Sequence, residues 1–225
     1  MTATAPRRRS RRVLRALSTA LIVAGTLLLA DAAATLLWQE PVSALYTRVQ
    51  QGRLADRLAE LERAPLEPVE QRALERLADP GRRLAFRARA FERRLEPGDP
   101  IGRIVMRDIG VSEVVVHGTG GNDLRKGPGH YPGTPLPGEP GTVAVAGHRT
   151  TYGAPFRRLD QLGSGDRIEL RMPYGDFSYR VERTRIVPPT ATWVTRRVGH
   201  DRLILSACHP LYSAAQRIVV FARET

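Results

Sequence analysis

The stretch Leu203-Ile204-Leu205-Ser206-Ala207-Cys208-His209-Pro210 is apolar, apart from Ser206, as far as Cys208, and is then stopped by a proline. It is too short for an ordinary helix, so it reads as a buried strand ending at His209-Pro210. Similar runs recur at Ile101 to Met106, Glu113 to His117, Thr142 to Ala146, Arg167 to Met172, Phe177 to Val187 and Arg217 to Ala222, separated by Gly, Pro, Asn and Asp. Short strands at such spacing predict a mainly β domain, either a sandwich or a small closed barrel. Between them, Lys126 to Gly141 is dense in Gly and Pro and reads as an ordered loop bordering a site.

Upstream the pattern is helical. Leu54, Leu58 and Leu61 recur at i, i+4 and i+7 before Pro65 and Pro68; further helical segments end near Asp79-Pro80-Gly81 and before Glu96-Pro97-Gly98. These segments predict a stalk or linker over residues 39–98, read as a solvated spacer, ahead of a β-barrel over 99–225. Residues 16–38 carry Asp31 as their one formal charge and are long enough, at about 1.5 Å per residue, to span a hydrocarbon core as a transmembrane helix.

The chain has 225 residues and a formal net charge of +12, and six arginines with no acid lie in residues 1–15. This basic tail predicts a cytoplasmic N-terminus, with the remainder outside the membrane and Trp38 and Tyr46 near the far interface. The readings of a cleaved signal, with Ala30-Asp31-Ala32 as its site, and of a twin-arginine signal at Ser10-Arg11-Arg12 compete with an uncleaved anchor. The anchor is favoured because apolar residues continue through Leu36, Leu37 and Trp38. The β domain itself is only mildly basic and aromatics are 6% of the chain, so no nucleic-acid partner is expected.

The single cysteine excludes an internal disulfide framework. Cys208 stands where a strand stops, His148 follows another strand, and Arg217 opens the last. A thiol of reference pKa about 8.5 is mostly protonated at neutral pH, so a nearby base or cation promotes its attack. An imidazole can also protonate a leaving amine, and a guanidinium can hold an oxyanion or carbonyl. His209 is too close in sequence to Cys208 for easy base geometry and reads as structural. His117, His130 and His200 lack a carboxylate or cysteine cluster, so neither a metal nor any other cofactor is expected.

At these residues the chain resembles the sortases, membrane-anchored cysteine transpeptidases. The resemblance covers roughly Ile101 to Thr225 and implies a sortase-type closed β-barrel. The family's Thr-Leu-X-Thr-Cys signature falls on Ile204-Leu205-Ser206-Ala207-Cys208, its catalytic histidine on His148 and its arginine on Arg217. The segments Gly147 to Phe156 and Cys208-His209-Pro210 look most like class E housekeeping enzymes of actinobacteria.

That likeness implies cleavage of a Leu-Ala-X-Thr-Gly-like signal on surface proteins, with transfer to an amine of the peptidoglycan precursor or to a pilin lysine. It also makes Tyr131 a substrate-contact residue. The family's threonine before the nucleophile is Ala207 here, a substrate-binding position that lacks its hydroxyl. Scattered acids predict no calcium dependence. Two readings stay open beside the transpeptidase: a hydrolytic cysteine peptidase using the same three residues, and a catalytically silent, membrane-tethered wall-binding domain.

Overall fold

The computed structural model describes the backbone of residues 7–38 and 41–225, with the side chains of residues 11–34 and 42–225. The start of the basic tail and the Trp38 side chain lie outside the described residues. The chain divides into two units, Met1–Pro41 and Val42–Thr225. The first contains helix α1, Arg7–Trp38, within which Arg11–Ala34, whose most apolar 18-residue window has a mean hydropathy of 2.0, has the length and composition to cross a membrane.

The second unit begins with α2 (Pro41–Arg63), α3 (Pro68–Glu75) and α4 (Pro80–Glu92). Prolines start all three, as expected of a residue without an N–H at a helix start. Asp79 caps α4 by accepting from the Arg82 N–H at 2.7 Å.

Eight strands follow: β1 (Pro100–Met106), β2 (Val111–His117), β3 (Gly129–His130), β4 (Thr142–Ala146), β5 (Arg167–Met172), β6 (Gly175–Val187), β7 (Arg202–His209) and β8 (Gln216–Glu224). They close into a barrel in the order β1-β2-β3-β4-β7-β8-β6-β5. The β2·β3 and β4·β7 pairs are parallel and the others antiparallel.

Seven of these strands coincide with the predicted runs. The exception is β3, inside the Gly/Pro-rich segment read as loop, where two residues bridge β2 to β4 and complete the ring. Alternation along each strand sends Ile104, Met106, Val143, Val145, Ile168, Leu170, Leu203, Leu205 and Val220 into one core.

The helices do not stand free as a solvated spacer. Leu54 and Leu58 of α2 are buried on Val114 and Val116 of β2. Gln51 lies along the same edge: its Nε2 donates to the Val114 and Lys126 carbonyls at 3.0 and 2.8 Å, and its Oε1 accepts from the Val114 N–H at 2.7 Å. Because β3 pairs with β2 only near its end, the Gln51 amide takes the place of a neighbouring strand at Val114. Helix α4 buries Ala85, Ala88 and Ala90, and its Phe91 ring lies 5.7 Å from Tyr174, whose hydroxyl donates to the Pro137 carbonyl at 2.9 Å.

One buried group sets a pH dependence. His130 is fully buried, beside the His117 ring at 5.8 Å, and burial above all pushes its pKa down to about 4. Its Nε2 lies 3.1 Å from Thr134 Oγ1 and 3.2 Å from the Pro135 carbonyl. Between pH 4 and 6.5 the unfolded chain therefore takes up a proton that the native state refuses. The contribution of the neutral ring is present above pH 6.5 and is lost as pH falls toward 4, by roughly 3 kcal/mol at about 1.4 kcal/mol per pKa unit. Urea titrations at pH 7 and pH 4.5 should show wild type losing more stability than His130→Asn over this interval; equal losses would contradict this assignment.

Candidate active site

Three strand ends meet at one rim of the barrel. Ala146 pairs with Ser206 in the parallel β4·β7 register, and the Gly147 N–H continues it by donating to the Ser206 carbonyl at 3.0 Å. Residue 148 therefore leaves β4 beside the end of β7 that carries Cys208. On the other side of β7, Cys208 is the direct antiparallel partner of Arg217. Cys208, His148 and Arg217 are all half-buried.

The His148 imidazole is flanked by Tyr152, with ring centroids 5.1 Å apart, and its carbonyl accepts from the Phe156 N–H at 3.0 Å. Tyr152 in turn lies under the Arg125 guanidinium at 5.5 Å, and its N–H donates to Ser43 Oγ of α2 at 3.1 Å. Arg217 Nη1 donates to the Ala214 and Gln216 carbonyls at 3.0 and 2.9 Å, which fixes the guanidinium at the rim.

Alternation along β7 separates its side chains. Leu203, Leu205 and Ala207 enter the barrel core, whereas Ile204 and Ser206 line an outer groove of about 220 Å³. Cys208 continues the outer series by the same alternation. Tyr131, Val187, Ala191, Val194, Arg217 and Val219 also line the groove. The Tyr131 hydroxyl lies 3.0 Å from Ser206 Oγ.

Ala207 does not line the groove. It is 3% exposed and packs in the interior, because it is one residue out of phase with Cys208. The expectation that it contacts substrate is corrected accordingly, and its missing hydroxyl takes nothing from the groove. The hydroxyl that does face the groove is that of Ser206.

The groove wall from the β6–β7 connection is held by Arg202, a buried side chain. Its guanidinium donates to Thr142 Oγ1 at 3.0 Å and to the Val194 and Arg196 carbonyls at 2.8 and 2.9 Å, and lies 5.4 Å from the Phe221 ring.

Arg149 is a second buried cation. It pairs with Asp160 at 2.9 Å, and its Nη1 donates to His209 Nδ1 at 3.0 Å. An arginine has no acceptor, so His209 Nδ1 holds a lone pair there and the ring is held against Arg149 at the end of β7. Arg149 thereby joins the residue after His148 to the residue after Cys208. Sequence reading missed this brace: an arginine beside His148 is visible, but not that it is 3% exposed. Among the described residues no group of three or more His, Cys, Asp or Glu could hold a metal ion.

Residues 104–225 match the model of the sortase domain, and this chain belongs to the sortase family. It is 33% identical over 133 residues to sortase D of Bacillus subtilis (strain 168), covering 57% of this chain and 66%, just under two thirds, of that relative.

Among solved structures, sortase E from Streptomyces avermitilis is 31% identical with a TM-score of 0.53, covering 58% of this chain and 90% of that one. SrtA from Actinomyces oris is 30% identical with a TM-score of 0.55, covering 59% and 83%. A Clostridium perfringens sortase D5 transpeptidase shares the fold at 23% identity and a TM-score of 0.62, over 79% of this chain and 99% of its own. These names run across several sortase classes, so the comparisons give the family and not the class.

Gly147 has no room for a side chain. A Cβ there would meet the buried Phe156 ring at 2.6 to 2.9 Å. Gly147→Ala should displace that ring or the His148 loop at a cost of roughly 1–3 kcal/mol. Thermal melting should show a lower Tm than wild type, and an unchanged Tm would mean that the loop yields freely.

Proposed function

We propose that this chain is a membrane-anchored cysteine transpeptidase of class E type, cutting a Leu-Ala-X-Thr-Gly-like signal between Thr and Gly. The observation that carries the reading is the pairing of Cys208 with Arg217 across β7 and β8, beside the strand end that bears His148. In this reading α1 is the anchor, with its N-terminus in the cytoplasm and the barrel outside. The likeness of Gly147 to Phe156 to class E enzymes supports the class.

The Cys208 thiolate attacks the threonine carbonyl carbon. The oxyanion that forms is held by Arg217, and collapse of the tetrahedral intermediate expels the glycine amine, which takes a proton from His148. A thioester between Cys208 and the threonine remains. An incoming amine, from a peptidoglycan precursor or a pilin lysine, gives up a proton to His148 and attacks the thioester. A new amide forms and the Cys208 thiolate is released, with His148 again protonated as at the start. Every proton moves through one imidazole and no cofactor is needed. Tyr131 and Ser206 are proposed to contact the signal within the groove.

Intact-mass analysis with a Leu-Ala-X-Thr-Gly peptide, with and without an added amine, tests the reading. The expected result is an acyl adduct on wild type, absent in Cys208→Ala, with ligated product once amine is present. His148→Ala and Arg217→Ala should each lower turnover by about 100-fold or more, the scale of a lost proton donor or oxyanion donor. Cleavage without ligation would identify a peptidase, and a folded protein that gives neither would refute the reading for this signal. In the same assay Arg149→Met should reduce kcat by about tenfold or more with KM little changed, because it disturbs the strand ends and not the groove.

A further inference from the structure

Helix α2 carries two faces of different kinds. One grips the barrel: Leu54 and Leu58 pack on β2, Gln51 bonds its edge, Thr47 Oγ1 donates to the Arg125 carbonyl at 2.9 Å, and Ser43 receives the Tyr152 N–H. The opposite face starts with Val42, Leu45, Tyr46 and Val49, spaced i, i+3, i+4 and i+7, and these are 79%, 60%, 44% and 49% exposed. Four large apolar side chains in one helical stripe left exposed among the described residues are unusual for a surface helix. Farther along, the same face changes to Arg53, Arg57 and Glu60.

The switch from apolar to charged falls where covalent reach dictates. The long apolar helix α1 ends at Trp38, and Val42 follows four residues later, at most about 14 Å of fully extended chain. The interfacial layer beyond the hydrocarbon core is itself about 5–8 Å deep. The stripe is therefore confined to the neighbourhood of the bilayer by its tether, and it is apolar only over the two turns nearest that tether.

We propose that Val42, Leu45, Tyr46 and Val49 seat the start of α2 in the interfacial layer of the membrane that α1 enters, so that this helix docks the barrel on the lipid surface. The inference rests on the reading of α1 as an uncleaved anchor. An interfacial helix buries an apolar face among headgroups and acyl carbons while its polar face stays out. Here that other face holds the barrel and, through Ser43 and Thr47, touches the loop after His148 and residue Arg125. Docking would thus present the active-site rim at a fixed height and tilt to substrates that are themselves held at the membrane.

The test uses the full chain in nanodiscs of phosphatidylcholine and phosphatidylglycerol. Single cysteines in a Cys208→Ala background, at Leu28→Cys, Leu45→Cys, Val49→Cys and Asp176→Cys, carry an environment-sensitive fluorophore. Each probe is challenged with doxyl-labelled lipid and with acrylamide in the water.

The expected result is lipid quenching at 45 and 49 and acrylamide quenching there about threefold or more below that at the exposed Asp176 position, as for an interfacial helix. Probes at 45 and 49 as open to acrylamide as the one at 176, with 28 quenched by lipid, would overturn the docking while leaving the anchor intact. Shielding from acrylamide without lipid quenching would mean that protein covers the stripe, which also overturns it. A probe at 28 unaffected by lipid would sink the anchor and the docking together, and only that outcome reaches the anchor itself.

Discussion

The parallel pairing of β4 with β7 is the constraint on which the rest of the site depends. Parallel neighbours run the same way, so both strands reach the same rim with their C-terminal ends. Antiparallel β8 then has to begin where β7 ends. A histidine just after β4, a cysteine at the end of β7 and an arginine at the start of β8 are brought together by topology before any side-chain contact is considered. A shift of one residue in either register would turn Cys208 into the core and Ala207 out to the groove.

Irregular segments around this rim are held by long polar side chains that replace missing backbone partners. Arg202 satisfies two carbonyls of the β6–β7 connection, Gln51 serves both polar groups of Val114, and Arg149 spans from Asp160 to His209. Burying a cation is costly unless its donors are used, so these positions hold geometry more than they add stability. The gain is a groove wall and strand ends that keep their places where the ladder on one side stops, as between β4 and β7 beyond Ala146 and Ser206.

Much of this was legible along the chain because strands and helices announce themselves by period. Seven apolar runs, the helical segments ahead of them and the positions of Cys208, His148 and Arg217 at strand boundaries needed only local reading, whereas Pro68 and Pro80, read as helix breaks, start helices. What local reading could not supply came from distant partners. The strand β3 is Gly129-His130, which has no β propensity and exists because β2 and β4 flank it. The docking of α2 depends on Gln51 meeting a strand 63 residues away. Ala207 was misassigned although the information was present, since the period-two alternation that places Ser206 and Cys208 on the groove face also sends residue 207 inward.

The groove also bears on the length of the signal in the proposed reaction. It is apolar at Val187, Val194, Ile204 and Val219 and polar at Tyr131, Thr192, Thr195, Ser206 and Arg217, of which Arg217 pairs with Cys208. From Ile204 to Cys208 is four residues of strand, about 13 Å at 3.3 Å per residue. An extended peptide lying along β7 whose threonine carbonyl reaches Cys208 places a residue three positions earlier about 10 Å back, within about one residue's rise of Ile204. An apolar side chain there would meet Ile204, and a hydroxyl-bearing residue at the proposed scissile bond would lie nearer Ser206 and Arg217. The named residues of the proposed Leu-Ala-X-Thr signal carry no charge, and the one formally charged side chain lining the groove among the described residues, Arg217, lies at the Cys208 end, where the proposed oxyanion would form.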